Sequence, residues 1–243
     1  MKRAVLGITS AALGTLLMAG GAVGQCCGDC NGDGQVAVDE ILKVVNRALG
    51  DTCTVQSGGQ QFPATGQTTC WDTNGNVIAC SGTGQDGQIQ AGGALAYADN
   101  GDGTITDLNT HLMWEKKDQS GSIQDESTLY TWADALSTFI GGLNAGAGFA
   151  RHTDWRLPNE KELPSIINFQ NLAPAASADF NANCAPGCTV MTCSCTQSGL
   201  YWSSTTHQVN TFTAWFVDFF DGSPGLSIKS RNCGYVRAVR GGS

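Results

Sequence analysis

The sequence predicts an α+β domain with many short strands and two helices, preceded by a small loop-helix unit. Three observations carry this expectation. Short runs of β-branched and aromatic residues recur beyond residue 62, separated by Asn-Gly and Asp-Gly turns. One stretch places apolar residues at helical spacing. Near the N-terminus, a twelve-position acidic loop runs straight into an amphipathic segment.

The first segment, residues 1–24, reads as a secretory signal peptide. Lys2 and Arg3 form a basic start, an Ala/Leu/Gly-rich apolar run follows, and Ala22-Val23-Gly24 offers small residues for cleavage after Gly24. Cys26 lies close by, but Gln25 stands where a lipid-attachment signal needs a small residue. No later stretch approaches the ~20 continuous apolar residues that a spanning helix requires. The expected protein is therefore secreted, with no membrane span, and extracellular, cell-surface or periplasmic. Without Lys2 and Arg3, thirteen basic residues fall to eleven against twenty-one acidic ones, a net charge near −10. Such a surface repels nucleic acid, which is not an expected partner.

All eleven cysteines lie beyond residue 24, in three groups: Cys26, Cys27, Cys30 and Cys53; Cys70 and Cys80; and Cys184, Cys188, Cys193, Cys195 and Cys233. In an oxidising compartment, disulfides are their expected fate. The last group lacks the paired Cys-x2-Cys spacing of a zinc site. Cys70 and Cys80 flank Thr73-Asn74-Gly75-Asn76 and should close a hairpin. The odd total leaves one thiol free or bonded to another chain, so a homo-oligomer is among the states open to the protein.

Residues 25–53 form the loop-helix unit. Asp29-Cys30-Asn31-Gly32-Asp33-Gly34, followed after five residues by Glu40, fits the EF-hand loop. Calcium takes six to eight oxygens, and the spacing supplies them from Asp29, Asn31, Asp33, the Gln35 carbonyl and a bidentate Glu40. Gly34 permits the sharp turn. Ile41, Val44, Val45, Ala48 and Leu49 then form one stripe of an exit helix that stops at Gly50. This segment resembles one repeat of a dockerin, the module that docks secreted polysaccharide-degrading enzymes onto scaffold proteins. A dockerin has two such repeats and one is present here, so a structural calcium clip is the expected role. The Ser/Gly/Gln-rich residues 54–61 read as a linker.

Residues 62–243 are long enough for one core. Strands are expected at Val77-Ile78, Thr104-Ile105-Thr106, His111 to Trp114, Ala214 to Phe219 and Tyr235 to Val239. Trp132, Ala135, Leu136, Phe139, Ile140 and Leu143 mark one buried helix face. A second helix is expected over residues 159–168, where Asn159 and Glu162 hold capping-box positions and Pro164 shortens or kinks it. Asp99-Asn100-Gly101-Asp102-Gly103, with Asp107 beyond, reads as a hairpin turn rather than a second calcium loop. Asp154, Arg156 and Arg237 read as members of a buried ion-pair or capping network.

Several strings in this region are informative together: Asp99 to Asp107 running into Leu112-Met113-Trp114-Glu115, His152-Thr153-Asp154-Trp155-Arg156-Leu157-Pro158-Asn159, Tyr201-Trp202-Ser203-Ser204, Ala214 to Phe219, and Val236-Arg237-Ala238-Val239-Arg240-Gly241-Gly242. In order and spacing they resemble the Lcl C-terminal domain, named for a bacterial collagen-like adhesin that binds sulfated glycosaminoglycans. The resemblance implies carbohydrate binding or attachment. Trp155-Arg156-Leu157-Pro158 and the closing Arg-Gly-Gly-Ser are also similar to the formylglycine-generating enzymes, which implies a C-type-lectin-like fold. Those enzymes carry their copper-binding cysteines beyond that segment, so the oxidase chemistry is not implied.

No catalytic constellation stands out. The three histidines form no metal-ligand pair, and Ser203 and Ser204 lack a Gly-x-Ser-x-Gly elbow. The expected function is extracellular recognition of a glycan or an extracellular protein. The alternatives are an accessory protein or hydrolase of a polysaccharide-degrading system, and a purely structural surface protein. The ligand-binding candidates are Trp71, Trp114, Tyr201 and Trp202 as aromatic platforms, with Asp218, Asp221, Lys229 and Arg231 as polar partners. Lys229, Arg231, Arg237 and Arg240 would make an anion-binding face if they stood together.

Overall fold

The computed structural model describes residues 62–230 and 234–241, all within the unit Gln60–Ser243. The signal peptide, the calcium ligands Asp29, Asn31, Asp33, Gln35 and Glu40, the linker, Arg231 and Cys233 lie outside the described residues.

The architecture is α+β, mostly short strands with few helices. A two-stranded hairpin pairs β1 (Cys70–Trp71) with β2 (Val77–Ile78). Its turn follows from the local chemistry: Asp72 Oδ1 accepts the N–H groups of Asn74 and Asn76, both at 2.9 Å, and Gly75 takes the left-handed conformation at φ 82°. The Cys70–Cys80 disulfide closes the hairpin, as its flanking positions predicted.

A four-stranded antiparallel sheet follows, in the order β3 (Tyr97–Asp99), β4 (Thr104–Asp107), β5 (Met113–Glu115), β9 (Val239–Arg240). Trp114 faces Ile105 on one neighbour and Val239 on the other, which places it at the centre of the sheet and removes it from solvent. The third sheet runs β6 (Leu200–Thr206), β7 (Thr213–Asp218), β8 (Ser223–Ile228), with an irregular register between Trp202 and Thr206.

The period of two along β6 divides the core. Tyr201 joins Ile105, Trp114, Ile166, Phe180, Phe219 and Val239, while Trp202 joins Phe139, Leu143, Trp155, Leu157 and Val236. Complete burial of each such side chain contributes about 2–3 kcal/mol.

The helical stripe predicted from Trp132 to Leu143 is present as Trp132–Asp134, a π-helical turn at Ala135–Phe139, and Ile140–Leu143. Ala135, Phe139 and Leu143 are its buried members, whereas Leu136 is 36% exposed. Thr131 caps the start by accepting the Asp134 N–H.

The helix expected over residues 159–168 is a correction. Asn159 and Glu162 do form the reciprocal capping box: Asn159 Oδ1 accepts the Glu162 N–H at 3.0 Å, and Glu162 Oε2 accepts the Asn159 N–H at 2.7 Å. The chain then makes only a 3-10 turn, Leu163–Ile166, because Pro164 has no N–H to extend a helix. Among the described residues, no helix is long and apolar enough to cross a membrane.

Candidate functional site

Three of the four predicted aromatic platforms are not on the surface. Trp114, Tyr201 and Trp202 are each 0% exposed and divide between the two halves of the core, so none presents a face to a ligand. Residue type could not separate these roles, because the same rings serve a core and a sugar face.

The polar candidates are also dispersed. Asp218 Oδ1 accepts the Phe220 N–H and Asp221 Oδ1 the Ser223 N–H, both at 2.9 Å, so these carboxylates organise the β7–β8 turn. Lys229 donates to Thr206 Oγ1 at 2.7 Å and lies 4.2 Å from the Trp132 ring centroid. Trp71 is half-buried in the disulfide-closed hairpin.

Among the described residues, the basic side chains near the C-terminus form no common anion-binding face, since Arg237 is buried. Arg237 is 0% exposed, and Arg240 is bidentate on Asp154, at 2.7 and 3.2 Å. That ion pair holds the Asp154 carboxyl below its usual range. Arg156 instead forks onto Glu162, with both bonds at 2.7 Å. The ion-pair network expected for Asp154, Arg156 and Arg237 is therefore three separate arrangements.

Two of the concavities among the described residues are larger than about 300 Å³. One, about 410 Å³, is lined by Phe62, Pro63, Leu112, Pro164 and Phe169 among others, and its Asn159 and Glu162 are occupied in the capping box. The other, a cleft of about 350 Å³, gathers polar groups from four parts of the chain. Asp99 comes from the end of β3, Lys116 from just beyond β5, Asp179 from the 3-10 turn Ala178–Phe180, and Asn183, Thr192 and Ser194 from a disulfide-stapled lobe.

The hairpin side of the cleft is built by Asx geometry. Asp99 Oδ1 accepts the Gly101 N–H at 2.9 Å, and Asp102 Oδ1 accepts the Thr104 N–H at 3.1 Å, so the acidic string is a hairpin turn. Gly103, at φ 93°, brings this turn against the stapled lobe: an added Cβ would lie 2.9 Å from Val190 Cγ2 and 3.0 Å from Phe149 Cζ. Asp99 keeps its other oxygen for Lys116 Nζ, at 2.8 Å. Burial alone would raise the Asp99 pKa, but the bonds from Lys116 and Gly101 prevail and hold it low. The Lys116 side chain is only 5% exposed, whereas that of Asp99 is 56% exposed and reachable from solvent.

The opposite wall is the lobe closed by Cys184–Cys195 and Cys188–Cys193. Ala182 and Ser194 exchange backbone bonds at 2.7 and 3.0 Å, and the lobe docks on residues 117–119 through Cys195 N–H to the Lys117 carbonyl and Gly187 N–H to the Gln119 carbonyl, both 2.9 Å. Arg237 braces it from beneath, donating to the Cys195 carbonyl at 2.6 Å and Thr196 Oγ1 at 2.8 Å. At the cleft, Ser194 is 2% exposed and its hydroxyl has no hydrogen-bond partner within the protein. A buried hydroxyl left so costs about 1–3 kcal/mol, and Ser165, which lines the first concavity, carries another.

Sequence reasoning found Asp99 only as a turn residue and missed Lys116, Asp179, Asn183, Thr192 and Ser194. The one available signal was Lys116-Lys117 directly after a strand, two ammonium groups entering a core. Lys117 is buried, 3.4 Å from Glu115 Oε1 and 4.4 Å from the Phe139 ring centroid. Burial lowers the Lys117 pKa and raises that of Glu115.

The Sγ atoms of Cys188, Cys193 and Cys195 lie within 4.8 Å of one another, but all three are committed to disulfides. A search of curated proteins finds no match to the chain. The model of the Lcl C-terminal domain matches residues 103–240, more than half of the sequence and all of the cleft except Asp99. The chain belongs to the Lcl C-terminal domain family.

Proposed function

We propose that this protein is a secreted recognition or attachment protein, and that its domain, of C-type-lectin-like fold, holds a carbohydrate in the cleft between Asp99 and Ser194. The single observation that carries the reading is the unpartnered, buried hydroxyl of Ser194, a residue lining a cleft whose other polar groups are an ion pair, a second carboxylate, an amide and the Thr192 hydroxyl. Sugar hydroxyls both donate and accept, and this set offers both: Asp99 and Asp179 accept, Asn183 does both, and Ser194 adds a hydroxyl, while that of Thr192 is engaged with the Thr189 backbone. Family membership supports an adhesin-like role outside the cell, and three disulfides among the described residues support an oxidising compartment. In this reading residues 29–40 bind calcium and stabilise their own loop-helix unit, without touching the sugar.

The cleft also orders the ligand classes. Its one ammonium is already neutralised by Asp99, and Asp179 adds a negative charge. Neutral and amino sugars fit it, whereas a sulfated chain would meet repulsion. A glycan array on the full mature chain, with and without a calcium chelator, tests this. Neutral or amino glycans should bind, and Asn183→Ala should weaken them about tenfold, the loss of one good hydrogen bond. Binding confined to sulfated glycans, or unaffected by Asn183→Ala, would remove the cleft from the reading.

A further inference from the structure

We propose that the four cysteines of the stapled lobe form a thiol–disulfide exchange site, at which an external dithiol moves a cross-link onto Cys188 and Cys195. At rest the bridges are Cys184–Cys195 and Cys188–Cys193. They adjoin each other: Cys188 Sγ lies 4.0 Å from Cys195 Sγ, close to van der Waals contact. Each bridge has one accessible and one inaccessible sulfur position. Cys184 is exposed and Cys188 half-buried, whereas Cys193 is 1% and Cys195 0% exposed.

Exchange proceeds by attack of a thiolate on one sulfur of a disulfide with departure of the other. A dithiol that enters at Cys188 forms a mixed disulfide there and expels the Cys193 thiolate. Its second thiol closes the dithiol into a disulfide and frees Cys188 as a thiolate. Cys188 then attacks Cys195 Sγ, the Cys184–Cys195 bond breaks, and Cys184 departs. A dithiol that enters at Cys184 expels Cys195, which attacks Cys188 Sγ and expels Cys193, while the second dithiol sulfur releases Cys184. Both routes end on the same species: a Cys188–Cys195 bond and thiols at Cys184 and Cys193. The dithiol supplies two electrons and becomes a disulfide, its two protons reside on the departing thiols, and the lobe passes from two bridges to one.

The change reaches the cleft. Cys184 adjoins Asn183, and Cys193 adjoins Thr192 and Ser194. Releasing Cys184 from Cys195 removes the covalent tie beyond Asn183, whose other neighbour Ala182 keeps its backbone bonds to Ser194, while Cys195 stays held by Arg237 and the Lys117 carbonyl. The exchange itself is independent of any ligand in the cleft.

The test is limited reduction of the full mature chain with increasing dithiothreitol, quenched with N-ethylmaleimide at mildly acidic pH. Cleavage after Met191 places Cys184 and Cys188 on one fragment and Cys193 and Cys195 on the other. Among molecules that retain one bridge in the lobe, tandem mass spectrometry should find the alkyl groups on Cys184 and Cys193 in the majority. Alkylation of Cys188 with Cys193, or of Cys184 with Cys195, would mean that a resting bridge simply survives and would overturn the proposal. So would passage straight to four alkylated cysteines with no single-bridge species.

Discussion

The guanidinium of Arg237 donates to the main-chain carbonyl of Glu115 at 2.8 Å, deep in the core where neither residue meets solvent. The Glu115 carboxylate in turn accepts the Ala238 N–H at 2.9 Å and the Lys117 ammonium at 3.4 Å. The strand pair β5–β9 is thus bound by side-chain charges as well as by its backbone ladder. Arg237→Met keeps much of the volume but removes the donor to the Glu115 and Cys195 carbonyls and to Thr196 Oγ1. The expected loss is about 3–5 kcal/mol, as for other half-removed buried charge networks. Urea denaturation measures it, and a loss below about 1 kcal/mol would show that the network contributes little.

Asp99→Ala isolates the ammonium of Lys116, whose side chain is almost wholly buried. Because Asp99 itself is half open to water, the expected cost is about 2 kcal/mol, below that of a fully buried pair. Lys116→Met together with Asp99→Ala should recover most of that loss in the same unfolding assay. A double variant no better than the single would show that the aspartate acts through its turn bond to Gly101.

Glu160 provides a pH-dependent signature. Burial raises its pKa from 4.5 to about 7, and its Oε2 is buried without a partner. A raised folded-state value means that the stability linked to this group is present below pH 4.5 and lost as the pH rises through 7. Glu160→Gln has no charge to desolvate. Its stability relative to the parent should therefore climb between these limits and level off at about 1–2 kcal/mol, a figure reduced for the partial exposure of the group. Parallel denaturation profiles for the two proteins from pH 4 to 8.5 would refute this.

The calcium reading of residues 29–40 has its own outcome. Isothermal titration of the full mature chain should show calcium uptake with a Kd in the micromolar to millimolar range of such loops, abolished by Asp33→Ala together with Glu40→Gln. Uptake unchanged in that variant would assign the calcium elsewhere.

Much of the fold was legible because local chemistry and global structure agree. Asn74-Gly75 turns where its residues favour a turn, and Ala135, Phe139 and Leu143 face inward at helical spacing. The capping box at Asn159 and Glu162 was equally readable, yet the helix it announced was stopped by the missing donor of Pro164. The cleft was not legible. Ser194 and Asp99 meet through the packing of Gly103 on Val190 and through the lobe's docking on residues 117–119, contacts that no periodicity encodes. The burial of Trp114 likewise depends on β9, which arrives from the far end of the chain.

That late arrival sets the order in which the domain can be completed. A chain synthesised from its N-terminus delivers Glu115 and Lys117 long before Arg237, and delivers the inner strand β5 long before its partner Val239–Arg240. Until those last residues emerge, two charges await burial and the four-stranded sheet lacks one side. Contacts of such long sequence separation close slowly. The polypeptide would therefore stay open until Arg237 and Val239–Arg240 have emerged, and complete its four-stranded sheet only then.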